Sequence, residues 1–242
     1  MILGSVTLFG SLQLASSFSG TVDLGGYAWS SNVGWISLDG PGYGVQINSD
    51  YTVTGYAWSS NVGWIKFGGL SSFPGSGGDV YVNPDTNEIH GWARACAATS
   101  GGTCSSMSTH TEAGSWDGWI SMNCANTGDC SSVDYSVGSS NGLLSGYAWG
   151  GDVVGWINFS DGYYTPPCTA SWQCSLTDAT IQEETDQWCQ IIEHSCSVGK
   201  VCSTNNPIFC IDPAPPTGDI DLSQSIVRSG SITDVTWTSG NA

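Results

Sequence analysis

Positive charge is nearly missing from this chain. Its 242 residues hold 4 Lys and Arg against 21 Asp and Glu, a formal net charge of −17. A surface of that sign repels phosphate backbones, which argues against nucleic acid as a partner. Histidine is scarce too: His90, His110 and His194 stand far apart, and no C-x-x-C pair accompanies them. Zinc sites need close Cys or His pairs, so none is expected, nor any other metal centre. No cysteine precedes Cys96, no nucleophile–base pair stands out, and the chain reads as a non-enzyme without a cofactor.

What is present in abundance is glycine, with 33 residues, and tryptophan, with 12. They are organised by one phrase. Gly26-Tyr27-Ala28-Trp29-Ser30-Ser31-Asn32-Val33-Gly34-Trp35-Ile36 returns as Gly55-Tyr56-Ala57-Trp58-Ser59-Ser60-Asn61-Val62-Gly63-Trp64-Ile65. A later copy runs Gly146-Tyr147-Ala148-Trp149 and then Gly155-Trp156-Ile157-Asn158-Phe159. Between them lies a split copy, opened by Gly91-Trp92-Ala93 and closed by Asp117-Gly118-Trp119-Ile120. Four-fold recurrence of this kind marks a repeat architecture.

Each copy reads as a β-hairpin, because large and small residues alternate with period two on either side of a Ser/Asn turn cluster. A four-residue loop over 30–33 sets Trp29 opposite Gly34, Ala28 opposite Trp35 and Tyr27 opposite Ile36. The glycines then make room for indoles. In this register Tyr27, Trp29, Ile36 and Leu38 share the core face. Trp35 and its counterparts Trp64, Trp119 and Trp156 share the other. Those four tryptophans are the candidate binding or interface residues. Either they form an outer stripe that stacks on sugars or on another subunit, or each lies flat over its own Ala and Gly beneath a loop.

A leading strand precedes the hairpin in three copies: Gly44–Ile47, Val80–Val82 and Val133–Val137. The first copy lacks one, and Asp161-Gly162-Tyr163-Tyr164 at the end of the array is expected to pair there and close it, removing exposed edges. An open stack finished by a neighbouring subunit is the alternative. The expected fold is therefore all-β. Four β-meander units form a closed or stacked body over residues 18–165, and a small disulfide-rich module with a short helix follows.

The ten cysteines are even in number and point to disulfides in an oxidising compartment. Cys96 with Cys104, and Cys124 with Cys130, are the simplest local pairs. The excursion between Ala93 and Trp119 carries His110, Glu112, Trp116 and Asp117, a loop of the kind that often holds a binding function, yet without a catalytic signature. Asn83-Pro84-Asp85-Thr86-Asn87-Glu88 has oxygen ligands in the right alternation for calcium. It lacks the calcium loop's glycine and distal glutamate, and reads better as a turn.

Pro166-Pro167 opens the module over 166–210, where Cys168, Cys174, Cys189, Cys196, Cys202 and Cys210 form a three-disulfide knot. Thr180-Ile181-Gln182-Glu183 resembles a capping box. It predicts a helix with Ile181, Trp188, Ile191 and Ile192 on its apolar face, and Glu183, Glu184, Asp186 and Glu193 on its solvated one. Residues 211–218 form a Pro-rich linker, and 219–242 carry two strand-like runs. These are the start of a truncated domain, or strands donated to another molecule. The uncharged apolar stretch 1–17 reads either as a signal-peptide core, though no Lys or Arg precedes it, or as a segment that packs into neighbouring copies.

The phrase GYAWSSNVGWI resembles repeats in secreted envelope proteins of candidate-phylum bacteria, over roughly residues 20–160. Ser225–Gly230 and Trp237–Ala242 look like the opening strands of bacterial immunoglobulin-like domains. Both likenesses imply a modular cell-surface protein. The expected function is an extracellular structural or adhesive protein. It is a candidate surface-filament subunit that joins copies of itself through 1–17 and 219–242. A glycan-binding module using the tryptophan stripe is the alternative.

Overall fold

The computed structural model describes residues 18–102, 104, 116–128, 130–203 and 210–211. Its centre is an eight-stranded closed antiparallel β-barrel built from the four phrases. The first copy supplies β1 (Thr21–Ser30) and β2 (Gly34–Ser37), and the second β5 (Val53–Ser59) and β6 (Gly63–Phe67). The third supplies β9 (Trp92–Ala95) and β10 (Trp119–Ser121), and the fourth β12 (Leu143–Trp149) and β13 (Trp156–Tyr164). They pair in the order β1-β2-β5-β6-β9-β10-β12-β13, and β13 returns to β1.

Closure is made where it was expected. Gly162, Tyr163 and Tyr164 lie opposite Gly26, Gly25 and Leu24, so the end of the last copy serves as the first copy's leading strand. The other leading strands are β4 (Tyr43–Asn48), β7 (Tyr81–Asn83) and β11 (Val137–Ser140). Strand β4 lies between β1 and β5, below β2. Strand β11 starts at the end of the expected stretch 133–137 and runs on to Ser140. The turn that follows is only Asn141-Gly142, both at positive φ, the pattern of a tight two-residue hairpin. Strand β8 (Glu88–His90) pairs with both β7 and β11, completing the lower half of the wall.

The expected hairpin register is off by one residue. Ser30 pairs with Gly34, Trp29 with Trp35, Ala28 with Ile36 and Tyr27 with Ser37. The loop has three residues, not four, because Gly34 enters its strand at φ +74°, a left-handed conformation that closes a three-residue hairpin. Gly63 does the same at φ +72°. A one-residue slip moves side chains to the opposite face. Tyr27 and Trp29 are therefore exposed beside Trp35, while Ala28, Ile36 and Leu38 are buried.

The barrel interior follows from this register. Ala28, Ala57, Ala93 and Ala148 pair with Ile36, Ile65, Ile120 and Ile157, and all eight are buried. Small and large residues alternate around one layer, which is how a narrow barrel fills its bore. The opening glycines have another task than seating an indole. A Cβ on Gly55, at φ +110°, would lie 2.0 Å from the Gly44 carbonyl oxygen, and one on Gly146 would lie 2.1 Å from that of Ser136. These positions let a leading strand's backbone approach closely.

The turn residues close the upper mouth. Val33, Val62 and Val154 are buried over the bore. The buried Ser30 hydroxyl accepts from the N–H groups of Asn32 (3.1 Å) and Val33 (3.2 Å) and donates to the Val154 carbonyl. Asn61 Nδ2 donates to the Val33 carbonyl (3.0 Å), and Asn32 Nδ2 to that of Asp152 (3.1 Å), so each hairpin tip is tied to a neighbouring one.

The lower mouth is closed by the cysteine-rich module. Here the expected helix is corrected: Ile181–Thr185 is a strand, β15, set between β14 (Ser171–Cys174) and β16 (Ile191–Ser195). The Thr180–Glu183 capping box fails because Asp178 caps a turn instead, accepting from Thr180 N–H at 2.8 Å. Glu183, Glu184 and Glu193 lie on this sheet. Trp188 leaves it and enters the barrel completely buried, stacked on Tyr164 at 5.5 Å and 1°. Phe18 and Tyr51 flank it at 6.0 and 6.1 Å. Its indole N–H donates to Asn87 Oδ1 (2.8 Å). Gln187 Nε2 donates to the same oxygen (2.6 Å) and to the Ser139 carbonyl (2.9 Å), while its Oε1 accepts from Tyr164 OH (2.7 Å).

Five disulfides are present: Cys96–Cys104, Cys124–Cys130, Cys168–Cys189, Cys174–Cys202 and Cys196–Cys210. The first two are the expected local pairs.

Candidate functional site

The outer wall of the barrel carries the site. Trp35 is 53% exposed, and Trp64 and Trp156 are each 39% exposed, so three of the four candidate tryptophans form surface features. Each meets a second tryptophan directly across its hairpin: Trp29–Trp35 at 4.7 Å, Trp58–Trp64 at 4.6 Å and Trp149–Trp156 at 4.7 Å between centroids. These are edge-to-face or tilted contacts, the arrangement that the ring quadrupole favours. Tyr27 adds a third ring against Trp35 (5.8 Å), and Tyr56 one against Trp64 (6.1 Å).

Trp119 departs from this. It is 7% exposed, packed with Trp92, Leu70 and Phe73. The split copy has Arg94 where the others have their first tryptophan, and its guanidinium lies 4.6 Å from the Trp119 ring centroid. Arg94 is itself buried and donates from Nε to the Asp117 carbonyl (2.8 Å). Burial lowers its pKa below the ordinary guanidinium value, opposed by the Asp117 charge. Trp119 is thus covered, while Trp35, Trp64 and Trp156 face outward from different strands of the wall.

Two copies gain a further ring from the leading strand. Tyr43 meets Trp64 at 5.0 Å and 78°, and Tyr135 meets Trp156 at 5.1 Å and 74°. The two tyrosines are equivalent: each stands two residues before the valine that pairs with its copy's opening glycine, Val45 with Gly55 and Val137 with Gly146. By the same register the first copy has Ser160 there and the third Gly78. The Tyr43, Tyr56 and Trp64 rings line an open groove of about 270 Å³, and Tyr135, Tyr147 and Trp156 line another of about 320 Å³ with Val133 and Asp134. Asn158 Nδ2 donates to Tyr147 OH at 3.5 Å, and Lys66 stands opposite Tyr56 on the neighbouring strand.

Sequence reasoning missed Tyr27, Trp29, Tyr56, Trp58, Tyr147 and Trp149, which it assigned inward with the first strand of each copy. In the first two copies the signal that could have found them was the Asn-Val-Gly ending of the loop, which shortens it by one residue.

The other candidates are structural. Asn83 Oδ1 accepts from Asp85 N–H (3.0 Å), and Asn87 sits at φ +58° with its side chain on Trp188, so this segment is a turn. Cys124, Cys130 and Asp134 come together, but both sulfurs are committed to a disulfide. His110 and Glu112, together with residues 1–17 and 212–242, lie outside the described residues.

No protein-family model, curated protein or solved structure matches this chain. The fold and site define its class by themselves: a disulfide-stapled eight-stranded barrel with aromatic clusters on its outer wall. Five disulfides are consistent with a secreted protein. Among the described residues no helix is long and apolar enough to cross a membrane.

Proposed function

We propose that this chain is an extracellular structural and adhesive protein of a cell surface, with the barrel as its rigid body and the aromatic wall as its contact surface. One observation carries the reading. Three clusters of exposed rings recur on a body whose two mouths are both plugged. Recurrent exposed apolar patches mark interaction surfaces, and a filled bore leaves the outside as the place for contact. Residues 1–17 and 219–242 are the segments proposed to join copies into a filament. Negative-stain microscopy of native material tests this: filaments or a surface layer containing the chain are expected. Dispersed monomers that adhere to no surface would sink it.

A second reading, a carbohydrate-binding module, is favoured by the exposed Trp35, Trp64 and Trp156 rings. Glycan-array binding lost on Trp64→Ala is its test.

A further inference from the structure

The ring trios of the second and fourth copies are matched, and their positions on the barrel are fixed by topology. We propose that they are two equivalent binding sites for a neutral, β-linked hexopyranose chain, and that each protein bridges two such chains. This deepens the carbohydrate reading above and rests on it.

Three observations carry the proposal. First, the trio recurs as a unit. Tyr43, Tyr56 and Trp64 hold the same pairing positions in their strands as Tyr135, Tyr147 and Trp156, and the leading-strand tyrosine meets the tryptophan at 5.0 and 5.1 Å. Ring packing of a core does not need this, because the first and third copies complete their hairpins with Ser160 and Gly78 at that place. Second, the trios face opposite ways. In the ring β1-β2-β5-β6-β9-β10-β12-β13, Trp64 is on β6 and Trp156 on β13, four strands apart in a circle of eight. Half a circumference separates them, so a single extended chain lying on one wall cannot occupy both.

Third, the chemistry selects the occupant. The axial C–H bonds of an all-equatorial hexopyranose make an apolar face that stacks on an aromatic ring, and its hydroxyls need polar groups at the rim. Each groove offers both: Trp64 with the Tyr43 and Tyr56 hydroxyls, and Trp156 with Asp134, the Tyr147 hydroxyl and Asn158 bonded to it. A net charge of −17 disfavours acidic glycans. The same charge on every copy opposes a second copy seated on the trios themselves, and a stable protein interface needs about 1,000 Å² or more, far beyond three partly exposed rings.

Calorimetric titration of the full chain with a neutral β-linked gluco-hexasaccharide tests this, alongside co-sedimentation with the insoluble polymer. Two sites per chain are expected, falling to one in Trp64→Ala and in Trp156→Ala, and to none in the double variant. Trp172→Ala, an exposed tryptophan of the cysteine-rich sheet that lines neither groove, keeps both sites. Tyr43→Ser and Tyr135→Ser, which spare the tryptophan pairs, weaken one site each by at least tenfold, and far-UV circular dichroism checks that all variants fold. The intact protein aggregates polymer particles and the single-site variants coat them without aggregation. A stoichiometry of one, equal loss in Trp172→Ala, or no binding of the hexasaccharide overturns the proposal. If the hexasaccharide does not bind but sedimentation shows self-association that Trp64→Ala abolishes, the trios are copy-to-copy contacts; the bridging proposal fails and the adhesive reading stands.

Discussion

Trp188→Ala is the perturbation that most directly tests how the cysteine-rich module and the barrel depend on each other. The side chain is fully buried, and its ring faces Tyr164, Phe18 and Tyr51. Truncating a buried tryptophan to alanine costs about 3–5 kcal/mol through lost transfer energy and the cavity left behind. The lost hydrogen bond adds little beyond that range, because Asn87 Oδ1 keeps the Gln187 amide at 2.6 Å and is not orphaned. Trp188→Phe retains the stack and gives up the indole N–H, so it should cost about 1–2 kcal/mol. Urea unfolding under non-reducing conditions, followed by circular dichroism, measures both. Limited proteolysis reports whether the module has let go: cleavage within 168–203 should rise in the alanine variant while the barrel stays resistant. A loss below about 1 kcal/mol with unchanged proteolysis would refute the plug, since a docked tryptophan with these neighbours cannot be removed so cheaply.

Three further outcomes follow from the wall and the plug. Gly55→Ala is expected to lose more than the roughly 1–3 kcal/mol that a left-handed conformation alone costs, because its Cβ would also meet the Gly44 carbonyl oxygen; Gly42→Ala, where a Cβ meets no atom, separates conformational strain from clash in the same thermal melts. Asn126→Ala removes the acceptor of the Gly91 N–H (3.0 Å) in a buried setting and should cost about 1–3 kcal/mol by denaturant titration. Burial raises the pKa of Asp186 above the ordinary 3.8, helped by Glu184 and Asp85 and opposed by the N–H groups of Gln190 and Trp188. The native state therefore holds that proton more tightly than the unfolded chain does. This group's contribution grows as pH falls from above the raised pKa towards 3.8, and is complete below it. Asp186→Asn keeps an acceptor for both N–H groups and should flatten that part of the stability profile. An unchanged profile would refute this assignment, since Asp50 and Asp178, whose pKa values Thr52 and Thr180 pull down, act in the opposite sense and lose stability as pH falls.

Much of the barrel was legible before any coordinates. Four recurrences of one phrase specify four hairpins, and Asp161–Tyr164 carries enough of a leading strand to show where the array closes. The even cysteine count and short spacings specify Cys96–Cys104 and Cys124–Cys130. The faces of the hairpins were not legible from alternation, because tyrosine, tryptophan, alanine and isoleucine all satisfy a period of two. The decision rests on loop length, which turns on the φ of Gly34. The expected helix failed for a related reason: 3.6-residue spacing over so short a window does not distinguish helix from strand when tertiary contacts decide. Trp188 is drawn into the barrel mouth, and Asp178 caps the exposed turn that leads into β15.

The chain's letters alone thus determined an all-β repeat body held by disulfides, because periodicity and cysteine number are local properties; that the body closes rather than stacks was decided by the pairing of β13 with β1. Tertiary structure alone decided which tryptophans face outward, that Arg94 and Leu70 cover Trp119, and that two ring trios lie half a circumference apart. Each depends on residues distant in sequence meeting across strands, and pairing of that kind is settled by how the whole barrel packs.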